Sequence, residues 1–255
     1  MKEILDYYLE QFNSEIKTIA HVGAHLGQEV KMYQQLNVEK IYLFEPLKNI
    51  FNELSKEYKD NKYVNLFNFA LGEKNFKTDF NISIENDGQS SSILKPNLHL
   101  RDKKDITFKK SDYEIDVKRY DSLNLKSPDF LNIDVQGYEL EVLKGFGNLL
   151  QDTKLICCEV NRDLTYQDNA LIKDIDLYLE KFSFIRLSTK WGKYNETYGL
   201  SAYVKTDLVK NKNFKIVKIL NKLHYTKTYF FLRNFTNYKR FKNSIKKIIS
   251  SFSQD

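Results

Sequence analysis

The feature that most constrains this chain is a strand, a glycine loop and a helix in immediate succession. Thr18-Ile-Ala-His-Val22 is a short apolar run of strand type, and Gly23-Ala-His-Leu-Gly27 is a tight loop. Over Gln28 to Asn37, Val30, Tyr33 and Leu36 then share one face of a helix. A second strand, Lys40-Ile-Tyr-Leu-Phe-Glu45, is stopped by Pro46, whose ring fixes φ and which has no N–H for a ladder. A Gly-x-x-x-Gly loop between strand and helix lets the backbone approach a ligand, because glycine has no Cβ to hold it away, and it aims free N–H groups outward. Glu45 follows Gly27 by 18 residues, at the end of the next strand, where a carboxylate can accept two hydrogen bonds from ribose hydroxyls. The combination predicts a nucleoside site. The full Gly-x-Gly-x-x-Gly pattern and a Gly-Lys-Ser/Thr loop are both missing, so a nucleoside without phosphates fits better than NAD or ATP.

The alternation continues downstream. Helical spacing over Lys48–Tyr58 is followed by a strand over Tyr63–Ala70, an alternating segment Ile115–Tyr120 and a buried strand Phe130–Asp134. A helix over Gly137–Leu150, a strand over Lys154–Val160 and a helix over Asn169–Phe182 come next, and Phe184–Leu187 with Leu200–Val204 is predicted to close the sheet as an antiparallel pair. Strands alternating with helices imply right-handed βαβ units and a parallel sheet. Residues 2–12 place Ile4, Leu5, Tyr8, Leu9 and Phe12 at helical spacing, and residues 72–112 predict a hairpin and a mobile loop around Gly88-Gln-Ser-Ser-Ser92.

Several segments together give the chain a resemblance to the FkbM family of S-adenosylmethionine (SAM)-dependent methyltransferases. They are His21-Val-Gly-Ala-His-Leu-Gly-Gln-Glu29, Phe44-Glu45-Pro46, Asn68-Phe-Ala-Leu-Gly72, Ser90-Ser-Ser92, Leu131-Asn-Ile-Asp-Val-Gln-Gly-Tyr-Glu139 with Leu143-Lys-Gly145, and Cys158-Glu-Val160. The resemblance implies a Rossmann-like class I methyltransferase, an α/β fold with a mainly parallel seven-stranded sheet and helices on both faces. It further implies that Gly23–Gly27 borders the methionine part of SAM, that Glu45 binds the ribose, and that Ala70 and Leu71 lie beside the adenine. His21 and His25 depart from the family, whose members often carry Asp and Asn there; both are counted with the cofactor-binding residues.

Asp134 ends the strand expected beside the first one, so it should face the same crevice across the switch point. Methyl transfer from a sulfonium is a direct displacement in which the protein aligns the acceptor and takes its proton, and Asp134 is the first candidate for acceptor binding or general base. The alternative is that Asp134 caps the following helix. Glu159, at the end of the next strand, is the second candidate, alone or with Asp134 through a divalent ion; a metal is allowed by these residues but not favoured. His21 and His25 are four apart, yet they straddle a strand end and a loop, so a zinc pair is not expected. His99 is read as a solvated loop histidine that could otherwise approach as a base. No Pro-Pro occurs in the chain, which disfavours the exocyclic-amine methyltransferases that carry Asn/Asp-Pro-Pro-aromatic at this strand end.

Charge divides the chain into a methyltransferase domain over residues 1–204 and a basic helical tail over residues 205–255. The tail holds 13 Lys and Arg against 2 acids, a net of +11, which leaves −5 for residues 1–204 of a total of +6. Ile216, Ile219, Leu220 and Leu223 fit one helical face, and Phe241, Ile245, Ile248, Ile249 and Phe252 another. Such a segment can dock on the domain or on a second subunit, making a homo-oligomer, or lie in an anionic membrane interface at about 1 kcal/mol per surface cation. Binding of single-stranded nucleic acid is the less favoured third reading. Cys157 and Cys158 are neighbours in a strand, so they point to opposite faces and do not pair; buried thiols fit a reducing cytosol. The acidic N-terminus and the absence of a long apolar run predict a cytoplasmic protein, peripheral at most to the inner face of a membrane. The expected activity is O-methylation of a hydroxyl, on a sugar of a surface polysaccharide, glycolipid or secondary metabolite. The rival readings are a non-catalytic glycan- or nucleic-acid-binding module and an RNA methyltransferase.

Overall fold

The computed structural model describes residues 15–192, 197–209 and 214–226, together with Leu5, Asp6 and Tyr8. In chain order the elements begin with β1 (Thr18–Val22), α1 (Val30–Gln34), β2 (Lys40–Phe44), α2 (Lys48–Tyr58) and β3 (Val64–Phe67). A region of short elements follows: β4 (Ala70–Leu71), β5 (Phe76–Thr78), β6 (Asn81–Ser83), α3 (Leu98–Asp102), β7 (Phe108–Lys110) and β8 (Ile115–Lys118). The chain then runs through β9 (Phe130–Ile133), α4 (Glu139–Phe146), β10 (Leu155–Asn161), α5 (Ile172–Glu180), β11 (Phe184–Trp191), β12 (Tyr198–Lys205) and α6 (Phe214–Leu223).

Seven strands form one sheet in the order β11-β12-β10-β9-β1-β2-β3. All its pairings are parallel except those of β12 with β10 and β11. From β1 the chain steps outward one way through β2 and β3 and the other way through β9 and β10. The carboxyl ends of β1 and β9 therefore diverge into a crevice, the usual ligand position in such sheets. Covering both faces is what the unbroken apolar strands require. Ala20, Val22, Phe44, Leu131, Ile133 and Cys158 pack with α4 and α5 on one face. Ile19, Leu43, Phe130 and Cys157 pack with Val30, Tyr33 and Leu54 of α1 and α2 on the other, joined by Leu5 and Tyr8. The two thiols are buried and unpaired, one on each face.

Three expectations are corrected. The strand expected over Tyr63–Ala70 is two strands in different sheets: β3 pairs with β2, whereas β4 pairs with β8 in a separate three-stranded sheet with β5. Asn68 stands at the break, its amide donating to the carbonyls of Glu45 (2.9 Å) and Pro46 (3.2 Å) instead of continuing the ladder. The helix expected over Gly137–Leu150 ends as α4 at Phe146, and a 3-10 turn takes over from Gly147 to Gln151. The serine-rich stretch is not a loose loop. Ser90, Ser91 and Ser92 are buried, and Ser83, Ser91 and Ser92 hydroxyl oxygens accept backbone N–H groups.

The described part of the basic tail docks on the domain. Arg186 of β11 is 2% exposed. Its guanidinium grips Asp176 of α5 (Nε to Oδ1 2.9 Å, Nη2 to Oδ2 2.8 Å) and donates from Nη2 to the Asn221 carbonyl of α6 at 3.1 Å. Asn221 returns a bond to the Arg186 carbonyl at 2.9 Å, and the Tyr203 and Tyr225 hydroxyls both donate to Asp176. Residues 227–255, where most of the tail's expected helix and its membrane or nucleic-acid contacts fall, lie outside the described residues. Among the described residues no helix is long and apolar enough to cross a membrane.

Candidate active site

The carboxyl ends of β1, β2, β9 and β10 open into a cavity of about 470 Å³, within the range of roughly 300–1,000 Å³ usual for small-molecule sites. The glycine loop forms one wall, for a different reason than the sequence suggests. Gly23 has φ +81°, and a Cβ there would lie 1.9 Å from the Asp134 carbonyl oxygen. The loop is thus closed onto its own sheet, with Gly23 and Ala24 N–H donating to Phe44 O, each at 3.0 Å, and Asp134 N–H donating to Val22 O at 3.0 Å. Gly27, at φ +72°, sits against Leu54 and Tyr58 of α2 and does not line the cavity. Both glycines serve close packing, and of the two only Gly23 borders the space a ligand would fill.

Both histidines near the loop are engaged. His25 Nε2 lies 2.8 Å from the Asp87 carbonyl, which can only accept, so Nε2 carries the proton and Nδ1 accepts from Gln28 at 3.0 Å. His25 thereby ties the glycine loop to the segment carrying the serines. His21 is buried, and that burial pushes its imidazole down to about 3, so it is neutral. Asn132 donates to the Tyr33 hydroxyl at 3.0 Å, leaving that hydroxyl's own hydrogen for His21 Nδ1 at 3.3 Å. This polar chain explains why His21 faces α1 from β1.

Glu45 lies on the cavity wall, 5% exposed. Its Oε2 accepts from His25 N–H at 3.0 Å and its Oε1 from Leu47 N–H at 2.9 Å. Burial raises its carboxyl to about 7 despite those two bonds. Each oxygen keeps one further acceptor position, which is what a ribose diol needs. Ala70 and Leu71 line the same cavity together with Leu47, Phe80 and Ile93. Asn86 also lines it, and its Oδ1 is buried without a hydrogen-bond partner, an acceptor that a ligand N–H would satisfy.

Acids gather at the opposite end, where Asp134 is exposed to the cavity and Glu159 is half-buried. Desolvation in the walled crevice pushes Asp134 above the ordinary carboxylate range, against the pull of Gln136 and Lys103. Glu159 is pushed well above it, by burial first and then by repulsion from Asp134 and Glu139. Gln136 sets the arrangement, its Nε2 lying 2.7 Å from Asp134 Oδ1 and 3.5 Å from Glu159 Oε1, while its own Oε1 accepts from the Tyr166 hydroxyl at 3.0 Å. The helix-capping alternative for Asp134 does not describe this turn. Glu139 takes the N–H groups, accepting on Oε1 from Gly137 at 2.9 Å and Val135 at 3.3 Å. Its burial raises that carboxyl to about 8. Among the described residues no three His, Cys, Asp or Glu side chains are grouped to hold a metal ion.

His99 is neither solvated nor on the cavity. It is 4% exposed, edge-on to Phe108 (5.1 Å between ring centres) and tilted against Tyr166 (5.5 Å). The sequence reading missed Asn86, Lys103, Gln136 as a bridging side chain, and Tyr166. Lys103 faces the acids from the far wall, its ammonium 5.0 Å from the centre of the Tyr198 ring.

The chain matches the methyltransferase FkbM domain family over residues 21–186. It is similar to the 2-O-methyltransferase NoeI of Sinorhizobium fredii, with 25% identity over 178 residues that cover 66% of this chain and 72% of NoeI. Among solved structures it is similar to methyltransferase FkbM from Methylobacillus flagellatus KT, with a TM-score of 0.50 and 14% identity, over 74% of this chain and 43% of the other. This chain thus spans less than half of that protein's length, and the likeness bears on the fold alone.

Proposed function

Because this chain belongs to the methyltransferase FkbM family, we propose that it transfers a methyl group from SAM to a hydroxyl of a sugar, in a surface polysaccharide, a glycolipid or a secondary metabolite. We assign the chemistry to residues 1–204. The observation that carries the reading is a single cavity with a diol acceptor, Glu45, at one end and two acids, Asp134 and Glu159, at the other. The residues present suit the cofactor: Glu45 for the ribose, Ala70 and Leu71 with the orphan Asn86 Oδ1 for the adenine, and Gly23 with neutral His21 toward the methionine end. The name of NoeI as an O-methyltransferase supports an oxygen acceptor, as does the lack of Pro-Pro after Asp134.

When bound, SAM supplies an electrophilic methyl group on a positively charged sulfur. Asp134 holds the acceptor hydroxyl and receives its proton while the new oxygen–carbon bond forms and the carbon–sulfur bond breaks. Its raised proton affinity makes it a better base near neutral pH than an ordinary carboxylate. Gln136 keeps Asp134 and Glu159 at a fixed spacing, and an acceptor hydroxyl held on Asp134 in line with the methyl group gains the benefit of alignment, about 7–11 kcal/mol in favourable cases. Lys103 opposes full protonation of the pair.

The test is calorimetry with S-adenosylhomocysteine on the wild type and Glu45→Ala, with circular dichroism to check the fold. Binding by the wild type that the variant loses is the expected result. No binding by the wild type, or equal binding by both, overturns the proposal.

A further inference from the structure

Glu29 lies on the wall of the active-site cavity with His21 and Gly23, and the fold makes little use of it. It stands at the N-cap of α1 without a side-chain capping bond. No lysine or arginine among the described residues pairs with it. Its Oε2 lies 4.0 Å from His21 Nδ1, but that ring is neutral and its Nδ1 lone pair is taken by the Tyr33 hydroxyl. His21 therefore answers Glu29 neither with charge nor with a hydrogen bond. With its side chain 35% exposed, Glu29 feels desolvation first, which pushes its carboxyl above the ordinary range. Asp134 adds to the push, against the pull of Glu29's own N–H, the amino terminus and His25. A half-buried carboxylate left in this state on a cavity wall suits a cation carried in by the ligand.

SAM brings such a cation, because its methionine part ends in an amino acid whose ammonium needs acceptors. The glycine loop has spent its polar groups on the sheet and on itself. Gly23 and Ala24 N–H donate to Phe44 O, Val22 O accepts from Asp134 N–H, and Ala24 O accepts from Gly27 N–H at 2.8 Å. Gln28 Nε2 is committed to His25 Nδ1 at 3.0 Å. His21, accepting on Nδ1, carries its hydrogen on Nε2 and so offers a donor, which suits a carboxylate and not an ammonium. Asp134 is tied to Gln136 at 2.7 Å and is assigned to the acceptor hydroxyl. We propose that Glu29 holds the α-ammonium of SAM through a charge-assisted hydrogen bond. The inference rests on the proposed use of SAM and adds the residue that recognises its amino-acid end. Held at Glu45 through the ribose and at Glu29 through the ammonium, the cofactor is fixed on both sides of its sulfur.

The experiment is calorimetry on the full-length protein at about pH 8, where Glu45 is ionised. The probes are S-adenosylhomocysteine, its deaminated analogue with hydrogen in place of the ammonium, and 5′-methylthioadenosine, which lacks the amino acid. Glu29→Gln keeps the size of the side chain and removes its charge, and thermal denaturation checks the fold. The variant should bind S-adenosylhomocysteine about tenfold or more weakly, as loss of a charge-assisted hydrogen bond predicts, and 5′-methylthioadenosine within about twofold of the wild type. The wild type should prefer S-adenosylhomocysteine to the deaminated analogue by the same factor, and the variant should not distinguish the two. Equal binding of S-adenosylhomocysteine by both proteins overturns the inference. A parallel loss of S-adenosylhomocysteine and 5′-methylthioadenosine also overturns it, because Glu29 is then structural. A wild type that binds the deaminated analogue as tightly as S-adenosylhomocysteine overturns it whether or not the variant folds. In each of these cases S-adenosylhomocysteine still binds the wild type and methyl transfer stands. If the wild type binds none of the probes, the underlying reading fails and the inference falls with it.

Discussion

Moving from about pH 8 to about pH 6 should weaken S-adenosylhomocysteine binding about tenfold, through Glu45. Its carboxyl titrates at about 7 because burial outweighs the two N–H bonds it accepts. The ionised group is acceptor-only, so with His25 and Leu47 N–H on one side it can take two ribose hydroxyls on the other. The protonated group places a donor hydrogen among donors and loses one of those four bonds. If only the ionised form binds, the apparent dissociation constant is the intrinsic one divided by the ionised fraction, which drops from about nine-tenths to about one-tenth over this interval. Stability of the empty protein has the opposite slope. The folded state keeps a proton that the unfolded chain releases above its ordinary carboxyl value, so this contribution is complete below 4.5 and declines as pH rises toward about 7. Calorimetry across the range, on the wild type and Glu45→Gln, measures the effect. The wild type should show the tenfold rise and the variant a weak, flat profile; parallel profiles for the two proteins would refute the assignment of Glu45 to the ribose.

Gly23→Ala should cost about 3 kcal/mol or more in chemical denaturation, from left-handed backbone strain of about 1–2 kcal/mol and a collision with the Asp134 carbonyl that forces β1 and β9 apart. A variant as stable as the wild type would contradict the closeness of those strand ends. Arg186→Met should destabilise by about 3–5 kcal/mol, because it leaves the largely buried Asp176 carboxylate with the Tyr203 and Tyr225 hydroxyls but without its cation. Asp134→Asn should lower kcat by about 10²–10⁴ on a working acceptor while S-adenosylhomocysteine affinity stays within about threefold. Equal losses in both measurements would make Asp134 a structural residue.

What the sequence made legible was local. The run from Thr18 to Glu45 carries its strand, loop and helix in short-range patterns, and Asp134 follows from knowing where a parallel strand ends, whereas Glu159, expected to end its strand, lies inside β10 two residues before Asn161. The rest depends on contacts between distant segments. Lys103 reaches the acids because residues 97–99 are pinned to Leu164 and Thr165 by backbone bonds, a pairing that no periodicity announces. Asn132 in the middle of β9 reads as an odd polar residue in an apolar strand until Tyr33, 99 residues away, is placed against it. The glycines were found at the right positions for an incomplete reason, since Gly23 yields to a neighbouring carbonyl and Gly27 to α2 rather than to a ligand. The split of Tyr63–Ala70 was hidden because an asparagine can belong to a ladder or leave it, and only the Glu45 and Pro46 carbonyls decide which.

A crystal structure of the complex with S-adenosylhomocysteine decides whether Glu45 and Asp134 mark the two ends of one methyl-transfer site. The ribose hydroxyls should lie on Glu45, the adenine beside Ala70 and Leu71, and the sulfur should be directed toward Asp134. A nucleoside bound elsewhere, or bound with its sulfur turned away from Asp134, would contradict that arrangement.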